Sequence, residues 1–140
     1  MLFGGPIDWK ATKQRSVVTS STEAELVALS VAARNYLATL RLIKELQLRF
    51  HGKVPIQMFC DNRQTLLLLT SERPQATTKL KHVDIHRLWI RQTVRQGKIS
   101  VDWMSTDKIV SDGLTKILPT QKHQNFVKLL QMECVPAVHQ

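Results

Sequence analysis

The segment PIQMFCDN, residues 55–62, decides the fold class of this chain. It enters through a proline, continues as a short apolar run and ends in an acid and an amide, which is typical of a buried β-strand followed by a polar loop. A leucine run at 66–69 follows and predicts a short helix. A buried strand next to helical segments favours an α/β sheet with helices packed over it.

The segment before this strand predicts the longest helix of the chain. Residues 20–25, SSTEAE, contain two overlapping capping boxes, in which a hydroxyl and a carboxylate three residues later close the first turn of a helix. Apolar residues then recur at helical spacing. We therefore expect a helix over about residues 22–49 that ends near Gly52.

The remaining segments complete one domain over residues 1–132, followed by a tail at 133–140. Residues 7–19 hold short β-type runs, which predict a strand or two pieces of one. The other expected elements are a helix over 81–96, a strand over 99–103 and short helices over 107–117 and 121–132. Ligands of such sheets lie beyond the carboxyl ends of the strands.

Composition limits the function. The 20 Lys and Arg residues outnumber the 11 Asp and Glu residues, which gives a net charge of +9 and favours a polyanionic partner such as nucleic acid. No apolar stretch approaches 18 residues, so no membrane span or membrane partner is expected. Cys60 and Cys134 form no zinc or disulfide pattern, which indicates a reduced, intracellular protein. The sequence lacks the motifs of kinases, zinc proteases and α/β-hydrolases.

Three acids are placed where chemistry could occur. Glu25 lies in the first turn of the long helix, Asp61 directly follows the strand, and Asp112 lies near the start of a late helix. Carboxylates at strand and helix ends can converge and bind Mg²⁺, which prefers oxygen ligands. Each also has a structural explanation, namely a capping box, a helix cap and an Asp-Gly turn. Spacing alone leaves both interpretations open.

Basic residues concentrate on the second long helix. Arg87, Arg91 and Arg95 are spaced by four and form one stripe, which costs stability through repulsion and therefore suggests a phosphate ligand. A solvated helix face is the alternative. His82 and His86 lie one turn apart with no third ligand nearby in sequence, so a structural or phosphate-facing role is favoured over a metal site.

Five blocks of sequence together resemble a known family. In this order and spacing they are similar to the ribonuclease H domain at the C-terminal end of the Pol polyprotein of Ty1/copia-type LTR retrotransposons. The resemblance covers about residues 3–131. The blocks are IDWK with KQ within 7–14, VTSSTEAE at 18–25, CDN at 60–62, TKLKHVDI at 78–85 and SDGLTK at 111–116.

The resemblance implies a ribonuclease H-like mixed sheet flanked by helices and hydrolysis of the RNA strand of RNA–DNA hybrids with two Mg²⁺ ions. Glu25, Asp61 and Asp112 correspond to the catalytic metal carboxylates, and Glu25 is preferred over Glu23 because a large apolar residue, Leu26, follows it. The implied location is cytoplasmic, in a virus-like particle, or nuclear. The implied partners are the hybrid and the upstream reverse transcriptase segment.

The expected nucleic-acid contacts combine the basic helix with two earlier residues. Phosphate contacts are expected from Lys79, Lys81, Arg87, Arg91 and Arg95. Asn62 is expected to touch the RNA sugar.

The sequence also departs from the family pattern. Family members carry a further catalytic aspartate in a DADW-type segment on the first, central strand, and this chain begins after it. Without that strand, the strand at 55–60 would present an unpaired edge. We therefore expect a rearranged or marginally stable chain, or one that pairs with another chain through this edge, with nuclease activity absent or strongly reduced.

Three other hypotheses stay open at this point. An upstream segment or partner chain could supply the absent strand and give an active enzyme. The chain could instead be a non-catalytic nucleic-acid-binding remnant. It could also be a fragment without function, which would neither fold nor bind.

Overall fold

The computed structural model describes residues 6–14, 17–48, 56–71 and 81–132. The chain divides into two compact units, of which the first is Gln14–Met104. The second combines Met1–Lys13 with Ser105–Gln140. Helices and strands are mixed, which confirms the α/β class. The predicted tail at 133–140 lies outside the described residues.

Among the described residues, the first unit contains three helices and a small sheet, and the second unit contains mainly one helix. The first comprises α1 (Ser21–Glu45), β1 (Ile56–Cys60), α2 (Arg63–Thr70), α3 (Lys81–Arg95) and β2 (Ile99–Trp103). The second comprises the 3-10 turns Thr106–Lys108 and Val110–Leu114 and then α4 (Thr120–Leu129). The predicted helices and strands after residue 20 are confirmed with shifted ends, except that two 3-10 turns replace the helix expected over 107–117.

Helix α1 begins at the first of the two predicted capping boxes. The Ser20 hydroxyl accepts a hydrogen bond from the Glu23 backbone N–H at 3.2 Å. The Glu23 carboxylate accepts hydrogen bonds from the backbone N–H and the hydroxyl of Thr19, at 2.7 and 2.8 Å. These hydrogen bonds lower the pKa of Glu23, because they favour the charged carboxylate. The start of α1 is therefore fixed by side-chain hydrogen bonds.

Helix α1 ends at Glu45, earlier than the end near Gly52 that the sequence predicted. Gln47 adopts a positive φ of 53°. Its backbone N–H donates to the Lys44 carbonyl, and the Leu48 N–H donates to the Ile43 carbonyl. These hydrogen bonds satisfy the last carbonyl groups of the helix, as a left-handed residue does in a helix C-cap.

The sheet in the described residues has two parallel strands. β1 and β2 pair in register from Ile56 opposite Ile99 to Cys60 opposite Trp103. Helices α1, α2 and α3 pack together and against this sheet. Their buried apolar side chains form one core, consisting of Leu26, Val27, Leu29, Ala33, Leu69, Val83, Ile90 and Ile99.

The strand predicted within residues 7–19 is wrong for the residues that the structure describes. Residues 6–14 and 17–19 contain neither strand nor helix. Ile7, Trp9 and Val17 are 50%, 69% and 73% exposed, so their apolar side chains gain little burial. A strand needs a paired neighbour and a buried face, and this segment has neither in the described part of the chain.

Helix α1 also bears on the membrane prediction. By length and composition it is apolar enough to cross a membrane, so the sequence argument against any spanning segment does not hold for α1. The core helix of a folded domain passes the same test. Because α1 buries Leu26, Leu29 and Ala33 in the core of the first unit, we describe it as a core helix.

Candidate metal centre

Two of the three predicted metal carboxylates meet at one end of β1. Glu25 lies near the start of α1, Cys60 is the last residue of β1, and Asp61 follows it. One potential ligand atom from each of these residues lies within 4.8 Å of the other two. The packing of α1 against β1 brings these positions together, although they are distant in sequence.

The donor set of this cluster suits a hard cation. The Glu25 and Asp61 carboxylates offer the oxygen ligands that Mg²⁺ prefers. Cys60 is buried, and its thiol donates a long hydrogen bond of 3.8 Å to the Asn62 carbonyl oxygen. Burial raises the pKa of the Cys60 thiol, and the neighbouring negative charges of Glu25 and Asp61 add to this effect. The two carboxylates, rather than the thiol, are therefore the fitting cation ligands.

The loop that carries Asp61 is held by the start of α2. The Asn62 side-chain oxygen accepts hydrogen bonds from the backbone N–H groups of Gln64 and Thr65, at 3.0 and 3.2 Å. The buried Thr65 hydroxyl donates to the Thr22 carbonyl oxygen of α1 at 3.4 Å. The first turns of α1 and α2 are therefore linked next to the carboxylates, and Asn62 acts as the α2 cap that sequence analysis considered as an alternative for Asp61.

Asp112, the third predicted carboxylate, belongs to the second unit. It lies in the 3-10 turn Val110–Leu114 and is partly buried. Its carboxylate forms an ion pair with Lys116 at 2.5 Å. The participation of Asp112 in one site with Glu25 and Asp61 stays a prediction.

Arg87, one of the three arginines of the predicted stripe, is buried in the structure. Arg87 is only 7% exposed, and its guanidinium forms an ion pair with the buried Asp84 at 3.0 Å. The two residues are one helical turn apart, so their side chains meet on the same face of α3. Arg87 therefore faces the protein interior, and its role as a phosphate contact stays a prediction.

The other predicted basic contacts differ in exposure. Arg95 and Lys81 are exposed on α3, and Lys79 lies outside the described residues. Arg91 is partly buried and donates a hydrogen bond to the Ser71 carbonyl oxygen. Of the three arginines in the predicted stripe, only Arg95 is therefore exposed.

The two histidines of α3 have structural partners, in line with the structural role considered from the sequence. The His82 Nε2 atom hydrogen-bonds to the Val17 carbonyl oxygen at 2.9 Å. The His86 Nδ1 atom lies 2.8 Å from the hydroxyl oxygen of buried Ser30 on α1. Both residues therefore attach α3 to neighbouring segments.

Comparison with known proteins gives the context of these residues. The chain is 32% identical over 129 residues, 92% of its length, to the retrovirus-related Pol polyprotein from transposon TNT 1-94 of Nicotiana tabacum. It is 33% and 31% identical over 131 residues to the corresponding polyproteins from transposons RE1 and RE2 of Arabidopsis thaliana. Its homologues are Ty1/copia-type retrotransposon Pol polyproteins.

The similarity to these Pol polyproteins concerns a short segment. The chain spans 9% of the length of each of these relatives. No family model matches the chain, and no solved structure matches it. The comparisons therefore support a region of a retroelement Pol polyprotein.

Two residues next to the carboxylate pair were not predicted from the sequence as site residues. The Arg63 guanidinium carbon lies over the Trp103 ring, 4.6 Å from the ring centroid. The Trp103 indole N–H donates to the Asp61 carbonyl oxygen at 3.2 Å. Their positions could have identified them. Trp103 ends the strand β2 opposite Cys60, and Arg63 directly follows the CDN triplet.

Proposed function

We propose that this Pol-like segment is a ribonuclease H-like module that binds RNA–DNA hybrids and contributes to hydrolysis of their RNA strand. The observation that supports the proposal most is the approach of the Glu25 and Asp61 carboxylates at the end of β1, within 4.8 Å together with Cys60. The resemblance adds Asp112 as a third carboxylate. It also associates the module with the reverse transcriptase part of the same polyprotein.

In this proposal, Glu25 and Asp61 hold divalent cations and orient them toward a phosphodiester. Mg²⁺ ions bound there would supply a water of lowered pKa and stabilise the leaving oxygen. The chain itself provides a fixed geometry, because the capped starts of α1 and α2 carry or adjoin both carboxylates. Neither carboxylate has to move far to meet the same ion.

The nucleic-acid surface proposed here is smaller than the sequence suggested. Exposed Lys81 and Arg95 and partly buried Arg91 are the described basic residues retained as phosphate contacts, together with Lys79 from the sequence prediction. Arg91 and Arg95 line one surface groove on α3, which keeps Arg91 in the set. The net charge of +9 supports a polyanionic partner.

Non-catalytic binding of nucleic acid is the second candidate function. The observation in its favour is the ion pair between Asp112 and Lys116, which engages the third carboxylate within its own unit. This candidate requires the basic surface but not the Glu25–Asp61 pair. The two functions therefore differ in their response to loss of Asp61.

The test is a gel assay of an RNA–DNA hybrid labelled on the RNA strand, with Mg²⁺ or with EDTA. The chain is assayed alone and joined to the segment that precedes it in the relatives, because the resemblance assigns a further aspartate to that segment. We expect weak cleavage by the chain alone and stronger cleavage by the joined form. EDTA is expected to abolish both.

Matched variants make this test specific. Asp61→Asn and Glu25→Gln should abolish cleavage, whereas Glu45→Gln at the far end of α1 removes an equal charge away from the pair and should preserve it. Salt-sensitive binding without cleavage, unchanged by Asp61→Asn, would support the non-catalytic function. A hybrid that is neither cut nor bound would refute both candidate functions.

Asn62→Asp keeps the capping oxygen and removes the amide donor, so it tests the proposed contact with the RNA sugar.

A further inference from the structure

Trp103 is an exposed aromatic residue held next to the candidate metal centre. It ends β2 opposite Cys60, and its indole N–H donates to the Asp61 carbonyl oxygen at 3.2 Å. The next residue, Met104, donates its backbone N–H to the Cys60 carbonyl oxygen at 3.1 Å. Despite these attachments, Trp103 remains 45% exposed. The ring is therefore fixed in place and partly open to solvent.

Arg63 extends this exposed surface with a positive charge. It is the first residue of α2, directly after the capping residue Asn62. Its guanidinium carbon lies 4.6 Å from the centroid of the Trp103 ring. We call Trp103 and Arg63 together the Trp–Arg platform.

The Trp–Arg platform has the chemistry that unpaired nucleotides bind. Bases stack on indole rings and on guanidinium planes, and such stacking tolerates any base because each base has a π-face. A guanidinium also attracts the phosphate of the same nucleotide. Bases inside a duplex stack on one another and leave no face open, so the platform suits a nucleotide beyond the end of a duplex.

We propose that the Trp–Arg platform binds an unpaired nucleotide of a strand whose adjoining duplex lies at the Glu25–Asp61 pair. The proposal rests on the proposed function and adds a preference for hybrids that carry a single-stranded extension. The hydrogen bond from Trp103 to Asp61 joins the platform to the metal centre through the backbone of one residue. A nucleotide on the platform would therefore help to position its own strand.

The test is fluorescence anisotropy with labelled RNA–DNA hybrids, either blunt or with a short single-stranded overhang. Ca²⁺ replaces Mg²⁺ so that binding is measured while cleavage is suppressed, and EDTA gives the metal-free control. We expect the wild-type chain to bind the overhang hybrid about tenfold more tightly than the blunt one, as expected for one stacked base.

Three variants separate stacking from a structural role. Trp103→Ala should remove the overhang preference, and Trp103→Phe should retain most of it because a ring remains. Arg63→Gln, at an exposed helix position, should reduce the preference about threefold or more without affecting the sheet. Thermal unfolding of each variant shows that the chain is still folded. If Trp103→Ala unfolds the chain, the overhang preferences of Trp103→Phe and Arg63→Gln still test the proposal.

A direct signal comes from tryptophan fluorescence. A short single strand should quench the emission of the wild-type chain, and the quenching should be lost in Trp103→Phe, which keeps Trp9 and Trp89. Equal quenching in both proteins would overturn the proposal.

The outcomes distinguish this inference from the proposed function. Metal-dependent binding of both hybrids with equal affinity would overturn the Trp–Arg platform alone. An overhang preference that survives both Trp103→Ala and Arg63→Gln would overturn it as well. Absence of binding to either hybrid would overturn the platform and the proposed function together.

Discussion

Ser30 of α1 and His86 of α3 are joined across the interface of the two helices, with 2.8 Å between the Ser30 hydroxyl oxygen and the His86 Nδ1 atom. Ser30 is only 1% exposed, so its hydroxyl depends on this partner within an apolar core. A buried polar pair of this kind specifies how two helices align, because any shift leaves both groups without a hydrogen bond.

Ser30→Ala should lower the free energy of unfolding by about 1–2 kcal/mol, because the partly buried His86 then loses its hydrogen-bond partner. Urea denaturation measures this change. Ser21→Ala, at the exposed start of α1, is the matched control and should change stability by less than about 0.5 kcal/mol. Equal effects of the two substitutions would show that the hydrogen bond does not contribute.

Stability should fall as the pH drops below about 6.5. Burial lowers the pKa of His86 from its ordinary value of 6.5, and the positive charges of Arg34 and His82 lower it further. The unfolded chain therefore binds a proton in a range where the folded chain does not, so protonation favours unfolding. The slope disappears only well above pH 6.5, where His86 is neutral in both states.

Denaturation curves measured between about pH 5 and pH 8 check this slope, because histidine titrates within that range. His86→Gln should flatten it, whereas His123→Gln on the exposed face of α4 should leave it unchanged. The lowered pKa of Glu23 acts in a separate window, because the stability it contributes is lost only as the pH falls below 4.5. An unchanged slope in His86→Gln would contradict the assignment.

Arg87→Gln should destabilise the chain by about 3 kcal/mol, because it leaves the buried Asp84 carboxylate without its ion-pair partner. Arg95→Gln removes the same charge from the exposed end of α3 and should change stability by less than about 0.5 kcal/mol. Thermal and urea unfolding measure both. A comparable small effect for Arg87→Gln would mean that its side chain reaches solvent after all.

Gly113→Ala should loosen the packing of α4 in the second unit. A Cβ atom at Gly113 would overlap the ring of Phe126, so the ring or the turn must shift, at a cost of about 1–3 kcal/mol. Hydrogen exchange within α4 should accelerate. Shortening the partner in the double variant Gly113→Ala with Phe126→Leu should restore part of the protection, and lack of any such rescue would exclude the overlap as the cause.

The elements with strong local signals could be predicted from the sequence. Ser20 caps α1 as the capping box predicts, and the alternating residues 99–103 form β2. The end of α1 could not be predicted, because Gln47 adopts a left-handed conformation that sequence assigns more readily to glycine. The strand within 7–19 failed for another reason, since pairing with a distant neighbour, and not β-propensity, decides whether a strand forms.

The candidate site was partly predictable for similar reasons. The expectation that ligands gather at strand ends brought Glu25 and Asp61 together correctly. The burial of Arg87 could not be predicted from the charge spacing, because it depends on an ion pair with Asp84, one helical turn earlier, on the interior face of α3. Trp103 was not predicted as a site residue because aromatic residues are common in alternating strands, where they usually pack on the sheet.

The parallel pairing of β1 with β2 determines when the carboxylate pair can arise during folding. Two helices separate these strands along the chain, so the sheet closes only after a long loop has been brought together. The position of Asp61 next to Glu25 therefore depends on this pairing and on the packing of α1 against β1. A peptide that contains the CDN triplet alone lacks Glu25 and cannot reproduce this arrangement. In the proposed metal-binding role, divalent cations would stabilise the folded chain relative to the unfolded one.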